Sequence, residues 1–291
     1  MMKAGIFKNI LAAAGAVFIA LSALTAVIAL ISIGGSLSRE KVAVVKLEGI
    51  ITDPADITRE IKSYEERDDV RAVVIRINSP GGAVGPSQEI YSEIKRLRKK
   101  KPVVASMGAI AASGGYYAAV GADRIVANPG TITGSIGVLV EFVNASELLN
   151  KIGLKGYVVK SGKFKDTGSP FRKMEASETA LLQSVINDVN KQFAAAVADG
   201  RKMKIEDVVR IADGRIFTGA QAIELGLVDA LGDLTDAINL GAELSGIKGK
   251  PFVIYPEKKI SLFRAFMGSE MPSSLTELFS GLRIMYMMPQ P

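Results

Sequence analysis

Short runs of β-branched and other apolar residues alternate with amphipathic segments along most of this 291-residue sequence. The runs at residues 42–47 and 72–77 have the length and composition of buried strands. Strands that alternate with helices predict an α/β fold with a largely parallel sheet, and no second copy of the pattern is present. The predicted strands are residues 42–47, 72–77, 102–106, 124–127 and 251–255, and the predicted helices are residues 86–99, a long helix that begins at Ser177, and residues 234–244.

Residues 10–33 contain no charged side chain, and as a helix they would be about 36 Å long, enough to cross a bilayer. A cleaved signal peptide is the alternative, but its apolar region usually spans only about 7–15 residues. Lys3 and Lys8 precede the run and weakly favour a cytoplasmic N-terminus. We therefore expect an uncleaved transmembrane helix at residues 10–33 after a cytoplasmic segment at residues 1–9.

The chain beyond this helix divides by composition. Residues 34–40 have the composition of a linker, residues 41–250 carry the alternating pattern, and residues 251–291 form a distinct C-terminal tail. The tail ends in an apolar, Met-rich stretch at residues 275–288, which either packs on its own domain or docks on a neighbouring subunit.

The sequence contains neither His nor Cys. This excludes Ser-His-Asp triads, imidazole bases, thiol nucleophiles, and His- or Cys-ligated metal sites. Any acid–base chemistry must use Lys, Asp, Glu or Tyr. We expect no metal and no cofactor.

The formal net charge is +6, with one short basic run at residues 98–101. That run has few aromatic residues near it and is typical of a solvated helix end. We expect no nucleic-acid partner.

Four small-residue motifs could carry chemistry, although each alone is ambiguous. Residues 78–82 and 133–137 have the composition of turns, and residues 108–117 that of tight helix packing around Ser113. The fourth, residues 161–170, holds Lys163 and Lys165 in a glycine-containing loop, where a lysine is normally solvated. Because a buried, neutral lysine can act as a general base, such a lysine is the natural partner for a nucleophilic serine in a chain without His.

Together, in this order, the motifs resemble those of the signal peptide peptidase A family, which are Ser–Lys serine peptidases. The resemblance covers roughly residues 42–232 and makes residues 41–250 the peptidase domain. It implies a crotonase/Clp-protease-like fold. The matching segments are residues 78–82 (Asn-Ser-Pro-Gly-Gly), 111–117 (Ala-Ala-Ser-Gly-Gly-Tyr-Tyr), 133–137 (Thr-Gly-Ser-Ile-Gly), 161–166 (Ser-Gly-Lys-Phe-Lys-Asp) and 212–215 (Ala-Asp-Gly-Arg).

The resemblance also implies a role for each site residue. Ser113 is the nucleophile and Lys165, which precedes an Asp, is the general base, with Lys163 as the alternative base. Gly81 is the first choice of oxyanion donor and Gly114 the second. Ser135 positions the lysine ammonium. Phe164 occupies a position that is often polar in relatives, which affects the shape of the pocket and not the dyad.

The expected activity is endopeptidase cleavage of remnant signal peptides and other unfolded peptides. Short relatives share active sites between subunits, so the resemblance implies a homo-oligomeric ring of about eight chains. It also implies a bacterial cytoplasmic membrane protein, held in the lipid by its N-terminal helix, with a periplasmic or extracellular catalytic domain.

The sequence is also compatible with three other kinds of protein. A crotonase-type acyl-CoA enzyme would share the fold, but no Glu stands near Ser113 or Gly81 in the sequence. A non-catalytic membrane scaffold would not need Ser113 or Lys165. Leader peptidase is also a Ser–Lys enzyme, and Ser106-Met107 resembles its Ser-Met dipeptide, although Gly108 follows here.

Overall fold

The computed structural model describes residues 15–27, 40–256 and 285–287. Residues 15–27 form a helix, α1. Within the described ranges, no helix has the length and apolarity needed to span a bilayer. The transmembrane helix predicted at residues 10–33 begins and ends outside those ranges, so it stays a prediction.

An eight-stranded sheet forms the centre of the folded domain. Strands β1 (Lys41–Glu48), β2 (Val70–Ser79) and β4 (Val103–Ala112) lie side by side and run parallel. On the edge opposite β2, β4 pairs in parallel with two shorter strands, β5 (Arg124–Ala127) and β6 (Ile132–Gly134). The predicted α/β fold with a mostly parallel sheet is therefore confirmed.

The remaining elements complete the sheet or cover it. The strands are β3 (Gly81–Ala83), β7 (Ile216–Thr218), β8 (Ala230–Leu231), β9 (Phe252–Ile254) and β10 (Met285–Met287); the helices are α2 (Ala55–Glu65), α3 (Val84–Leu97), α4 (Gly114–Ala119), α5 (Ser146–Lys151), α6 (Ala176–Arg201), α7 (Ile205–Val209), α8 (Gly219–Glu224) and α9 (Leu234–Leu244). The sheet order is β7-β6-β4-β2-β1-β9, with β5 and β8 beside the first half of β4, and β7 is antiparallel to β6.

Both faces of the sheet are covered, which explains why its central strands are apolar at nearly every position. On β1, Val42 and Val44 face α9, while Ala43 and Val45 belong to the larger core. That core continues into α2, α3, α4 and α6. Each fully buried Val or Ile contributes roughly 1.5–3 kcal/mol.

The predicted boundaries differ from the structure mainly at β4. The sequence predicts a strand that ends at Ser106, whereas β4 continues to Ala112. Residues 110–112 of the extension pair with residues 132–134 of β6. This tertiary pairing outweighs the weak β-propensity of the Gly and Ala residues in the extension. Consequently the strand leads directly to Ser113.

Candidate active site

Ser113 lies at the junction between β4 and α4, where it is the N-cap of the helix. Its backbone has φ 52° and ψ −117°, a combination that L-residues rarely adopt. Strained strand–serine–helix turns of this kind display the nucleophile in α/β-hydrolases. Backbone strain at a non-glycine residue is stored mainly at functional sites, so this conformation supports the sequence prediction for Ser113.

The Ser113 hydroxyl is buried, with the whole residue only 1% exposed. Within the described part of the chain, its Oγ has no hydrogen-bond partner. A buried polar atom without a partner costs roughly 1–3 kcal/mol, and most native proteins avoid this cost. A base or a substrate group supplied from elsewhere would remove it.

The glycine motif at the end of β2 lies directly against this turn. A Cβ built on Gly114 would be 3.3 Å from the Gly81 Cα and 3.2 Å from the Gly82 nitrogen, so the two motifs pack backbone against backbone. The Gly81 N–H donates to Ser79 Oγ over 3.1 Å, whereas the Gly114 N–H, at the first position of α4, has no partner inside the helix. Of the two predicted oxyanion donors, Gly114 is thus the one less engaged within its own segment.

Ser135 is held beside Ser113 by backbone hydrogen bonds. The Ser113 N–H donates to the Gly134 carbonyl over 2.8 Å, and the Ser135 N–H donates to the Arg215 carbonyl over 2.8 Å. Ser135 is buried and also has a positive φ, of 50°. The structure therefore brings Ser113, Gly81, Gly114 and Ser135 together.

The two tyrosines after the Ser-Gly-Gly sequence anchor α4 in the core. Tyr116 Oη donates to the Leu227 carbonyl over 2.8 Å, and burial raises the pKa of this phenol. The ring of Tyr117 lies 4.9 Å from that of Phe193 on α6. Their role is to fix the position of the turn that carries Ser113.

Lys165 lies in a different environment. Its side chain is exposed, and within the described residues its Nζ has no hydrogen-bond or ionic partner. Lys163, the alternative base, is 3.8 Å from Glu175 Oε2 and lies near the ring of Phe164. The single chain therefore does not join Lys165 to Ser113, and neither assignment of the base is tested by it.

The loop that carries Lys165 is fastened by an arginine. Arg172 donates from Nε and Nη2 to the two carboxylate oxygens of Asp166, over 2.9 and 2.8 Å. It also donates to the buried carboxylate of Glu178, from Nη1 over 2.8 Å and from Nη2 over 2.5 Å. Arg172 accordingly lowers the pKa of Asp166. Together with the Glu175 N–H, it also lowers the pKa of Glu178, to about 2. Sequence reasoning missed this cluster, because nothing in the spacing of these residues predicts that one arginine bridges both acids.

Residues 141–189, which we call the arm, carry Lys165 away from the core. Glu178 is the one buried residue in this range. The long helix α6 begins in the arm, and its apolar face is exposed at Leu181 and Val185 but buried at Phe193 and Val197. Other large apolar side chains exposed on the arm are Val143, Leu148, Ile152, Leu154, Tyr157, Val158, Val159, Phe164 and Phe171.

Ser106, the residue that suggested leader peptidase, serves the fold. It is buried within β4, and its Oγ accepts a hydrogen bond from Arg76 Nη1 over 2.9 Å. It is part of a strand and not of a turn that displays a nucleophile.

A mostly parallel α/β sheet with a strained serine at a strand–helix turn and glycine backbone packed against it defines a hydrolase-type site. Comparison with known proteins identifies its class. Residues 95–248 match the model of peptidase family S49, and residues 30–130 match that of the Clp proteases. The chain belongs to peptidase family S49, and it is a serine-type peptidase; both predictions are confirmed.

Several relatives carry protease names. A Synechocystis sp. protein named provisionally as a protease is 46% identical over 212 residues, which are 72% of this chain and 76% of the relative. The chloroplast serine protease SPPA of Arabidopsis thaliana is 35% identical over 256 residues, 88% of this chain and 36% of the relative. Protease 4 of Salmonella typhi is 37% identical over 217 residues, 71% of this chain and 35% of the relative. The chain thus spans about a third of the length of the last two relatives.

Proposed function

We propose that this protein is a membrane-anchored endopeptidase that cleaves remnant signal peptides and other unfolded peptides through a Ser113–Lys165 dyad. The observation that carries the proposal is the buried hydroxyl of Ser113 on a strained turn, which has no hydrogen-bond partner among the described residues. Membership of family S49 supports the peptidase chemistry.

The proposed reaction forms and hydrolyses an acyl-enzyme. Neutral Lys165 accepts the proton of Ser113 Oγ as that oxygen attacks the peptide carbonyl, and backbone N–H groups at Gly114 and Gly81 stabilise the oxyanion. The Lys165 ammonium then protonates the leaving amine. A water molecule, deprotonated by Lys165, attacks the ester, and Ser113 recovers its proton. Ser135, close to Ser113, positions the ammonium.

A lysine acts as a base only in its neutral form, and burial favours that form. Since Lys165 is exposed in the single chain, the proposal requires a neighbour to cover it. The exposed apolar residues of the arm and the exposed half of α6 supply a surface for this contact. We propose a homo-oligomeric ring, of about eight chains by family resemblance, in which the arm of one chain brings Lys165 to Ser113 of the next.

The substrate and location follow from the same resemblance and from the sequence of residues 10–33. An anchored ring at the outer face of a bacterial cytoplasmic membrane would meet signal peptides left in the bilayer. An N-terminal helix in the lipid would hold the active sites close to these apolar segments. The narrow space between packed subunits would admit extended peptides and exclude folded proteins.

The test is hydrolysis of an internally quenched apolar peptide by the detergent-solubilised full chain. Ser113→Ala and Lys165→Ala should each remove activity, while Lys163→Ala, two residues from Lys165 on the same loop, should retain it. Activity in Lys165→Ala together with loss in Lys163→Ala would move the base to Lys163. Full activity in Ser113→Ala would overturn the proposal.

A further inference from the structure

The N-terminal ends of the parallel strands lie together at one edge of the sheet. Lys41, the first residue of β1, pairs with Val70 of β2 and with Phe252 of β9. Strand β5 begins at Arg124, which pairs with Val104 near the start of β4. Helices α2, α3 and α9 each lead back to the start of a parallel strand, so they end at this edge too. We call this surface the entry face, because the chain enters the folded domain there, and define it as residues 40–41, 65–71, 98–103, 123–124 and 247–252.

The entry face carries the excess positive charge of the domain. It contains ten lysines and arginines and six acidic residues, which gives it a formal charge of +4. Lys3 and Lys8 account for the other two of the +6 charges of the whole chain, so the remaining residues outside the entry face are neutral in sum. The positive charge of the domain is therefore concentrated at one end of its sheet.

Four basic side chains of the entry face are available to a partner. Lys99, Arg124, Lys248 and Lys250 are exposed, and none of them forms an ion pair within the described residues. Lys99 follows α3, whereas Lys248 and Lys250 follow α9, which packs on the opposite face of the sheet. Exposed cations therefore flank the sheet edge on both sides.

The acidic residues of the entry face are mostly neutralised within it. Asp69 pairs with Lys41 over 2.6 Å and with Arg67 over 2.9 Å, and Glu65 lies 2.6 Å from Lys100. The remaining acidic residues are Glu40, which pairs with Arg71, Asp123, which accepts from the Val103 N–H, and the exposed Glu66 and Asp68 of the α2–β2 turn. Exposed acidic groups without an ion pair in the described part of the chain are thus confined to this one turn.

Hydrogen bonds to backbone carbonyls explain other basic residues of the entry face. Arg98 donates to the Gly121 carbonyl over 3.3 Å, and Lys101 donates to the Tyr64 carbonyl over 2.7 Å. Lys248, by contrast, lies four residues beyond the end of α9, outside the last turn in which a helix dipole acts. Its exposed charge therefore serves no helix end and suits a negatively charged partner.

The nearest such partner is the membrane predicted to hold residues 10–33. Seven residues join that segment to Lys41, and a fully extended chain of this length spans at most about 25 Å. The entry face is thus the part of the domain tethered closest to the lipid. Anionic phospholipids present phosphate groups, which lysine and arginine bind by charge-assisted hydrogen bonds.

We propose that the entry face docks on the anionic lipid headgroups of the membrane that anchors the chain. This inference rests on the proposed function, because it takes residues 10–33 to be a transmembrane helix. Each lysine or arginine close to an anionic surface strengthens binding about fivefold, and the attraction fades beyond roughly 10 Å. Ser113 follows the ten-residue strand β4, so docking holds it about 30 Å above the headgroups. A peptide embedded in the lipid must then extend by about nine residues to reach it.

The first test measures which end of the domain lies at the lipid. The chain has no cysteine, so bimane can be attached singly at Lys99→Cys on the entry face or at Glu48→Cys, at the other end of β1. Full-length chains are placed in nanodiscs that carry a headgroup nitroxide quencher, in phosphatidylcholine alone or mixed with phosphatidylglycerol. Quenching at position 99 should be about threefold greater in the anionic discs, and quenching at position 48 should stay low in both. Equal quenching at position 99 in the two lipids, or stronger quenching at position 48, would overturn the inference.

The second test removes the charges. In the Lys99→Cys chain, the combination of Arg124→Gln, Lys248→Gln and Lys250→Gln should lower quenching in anionic discs to its level in phosphatidylcholine. The matched control removes three exposed cations that lie outside the entry face, through Lys46→Gln, Arg59→Gln and Arg210→Gln. This control should keep the quenching of the parent chain. The same result in both triple variants would overturn the inference.

The docking inference and the proposed function fail in different ways. Chains that do not co-elute with the discs would contradict the transmembrane anchor and the docking inference together. Chains that enter the discs and hydrolyse peptide, but show no preference for anionic lipid at position 99, would overturn the docking inference alone and leave the proposed function intact.

Discussion

The backbone N–H of Ser113 donates to the carbonyl oxygen of Gly134 over 2.8 Å, which holds the candidate nucleophile against the residue that precedes Ser135. Ser113 and Ser135 each have a positive φ, of 52° and 50°. Two adjacent strands, β4 and β6, thus end in strained serines at one place. The parallel pairing of Ala112 with Gly134 brings the two turns together.

The strain at Ser113 predicts a gain in stability when the residue is replaced by glycine. Glycine accepts this φ and ψ freely, whereas alanine removes the hydroxyl but keeps the strained backbone, so Ser113→Gly should be about 1–2 kcal/mol more stable than Ser113→Ala. Urea unfolding of the solubilised variants measures the difference.

Ser79 provides the control for this comparison. It is buried like Ser113 but lies in β2 and is not among the residues with positive φ. There glycine should be less stable than alanine, as in any strand. If the glycine variant were less stable than the alanine variant at both Ser113 and Ser79, that result would contradict backbone strain at Ser113.

The arginine cluster of the arm predicts a loss of activity without a change in the catalytic groups. Arg172→Met removes the shared partner of Asp166 and Glu178, leaves Asp166 paired with Lys160, and weakens the attachment of the loop that carries Lys165. Misplacement of a base by about 1 Å can cost on the order of 100-fold, so kcat/KM for a peptide should fall about 10- to 100-fold.

Lys173→Met is the matched control for Arg172→Met. Lys173 lies next to Arg172, and its ion pair with Glu147 is largely exposed, with both side chains 78% exposed. Exposed pairs contribute little, so this variant should retain wild-type kcat/KM. Equal kcat/KM in the two variants would show that the cluster does not position the lysine.

Glu60 predicts a pH dependence of stability. Burial raises the pKa of this carboxyl from 4.5 to about 7, and its Oε1 has no hydrogen-bond partner within the described residues. Between about pH 4.5 and 7, Glu60 keeps its proton in the folded chain and has released it in the unfolded chain. The free energy of unfolding therefore declines as the pH rises through this range and then levels off. Glu60→Gln removes this penalty and should be more stable than wild type at pH 8, by on the order of 1–2 kcal/mol, with little difference at pH 4.5. Urea unfolding at both pH values checks this, and a constant difference between the two proteins would contradict it.

The strands and helices of the sheet could be predicted because each carries its own periodic pattern. Helix α9 and strand β5 have the predicted bounds, and α6 begins one residue before Ser177. Helix α2 was not predicted. The pairing of β10 with β3 joins segments about 200 residues apart, and no local pattern encodes such a contact.

The residues of the candidate site also differ in how far their positions could be predicted from the sequence. The environments of Ser113, Gly81, Gly114 and Ser135 follow from turns at the ends of neighbouring strands, where glycine and serine mark sharp changes of backbone direction. The position of Lys165 does not, since it depends on the cluster around Arg172 and, in our proposal, on another chain. Leu181, Val185, Phe193 and Val197 recur at helical spacing on one face of α6. Leu181 and Val185 are nevertheless exposed, because periodicity shows that a face is apolar and not which chain covers it.

A shared active site predicts complementation between two inactive variants. In an equal mixture of Ser113→Ala and Lys165→Ala chains, assembled together, about a quarter of the sites would combine an intact serine with an intact lysine from the neighbour. Peptide hydrolysis should recover to that level only in co-assembled samples. Absence of recovery in verified mixed oligomers would place both groups of the dyad in one chain.

Labelling with a fluorophosphonate probe, followed by mapping of the modified residue by mass spectrometry, tests whether Ser113 is a nucleophile activated by Lys165. We expect a single modified site, Ser113, with labelling that is lost in Lys165→Ala and retained in Lys163→Ala. Modification of another serine, or equally fast labelling of Ser113 in Lys165→Ala, would contradict it.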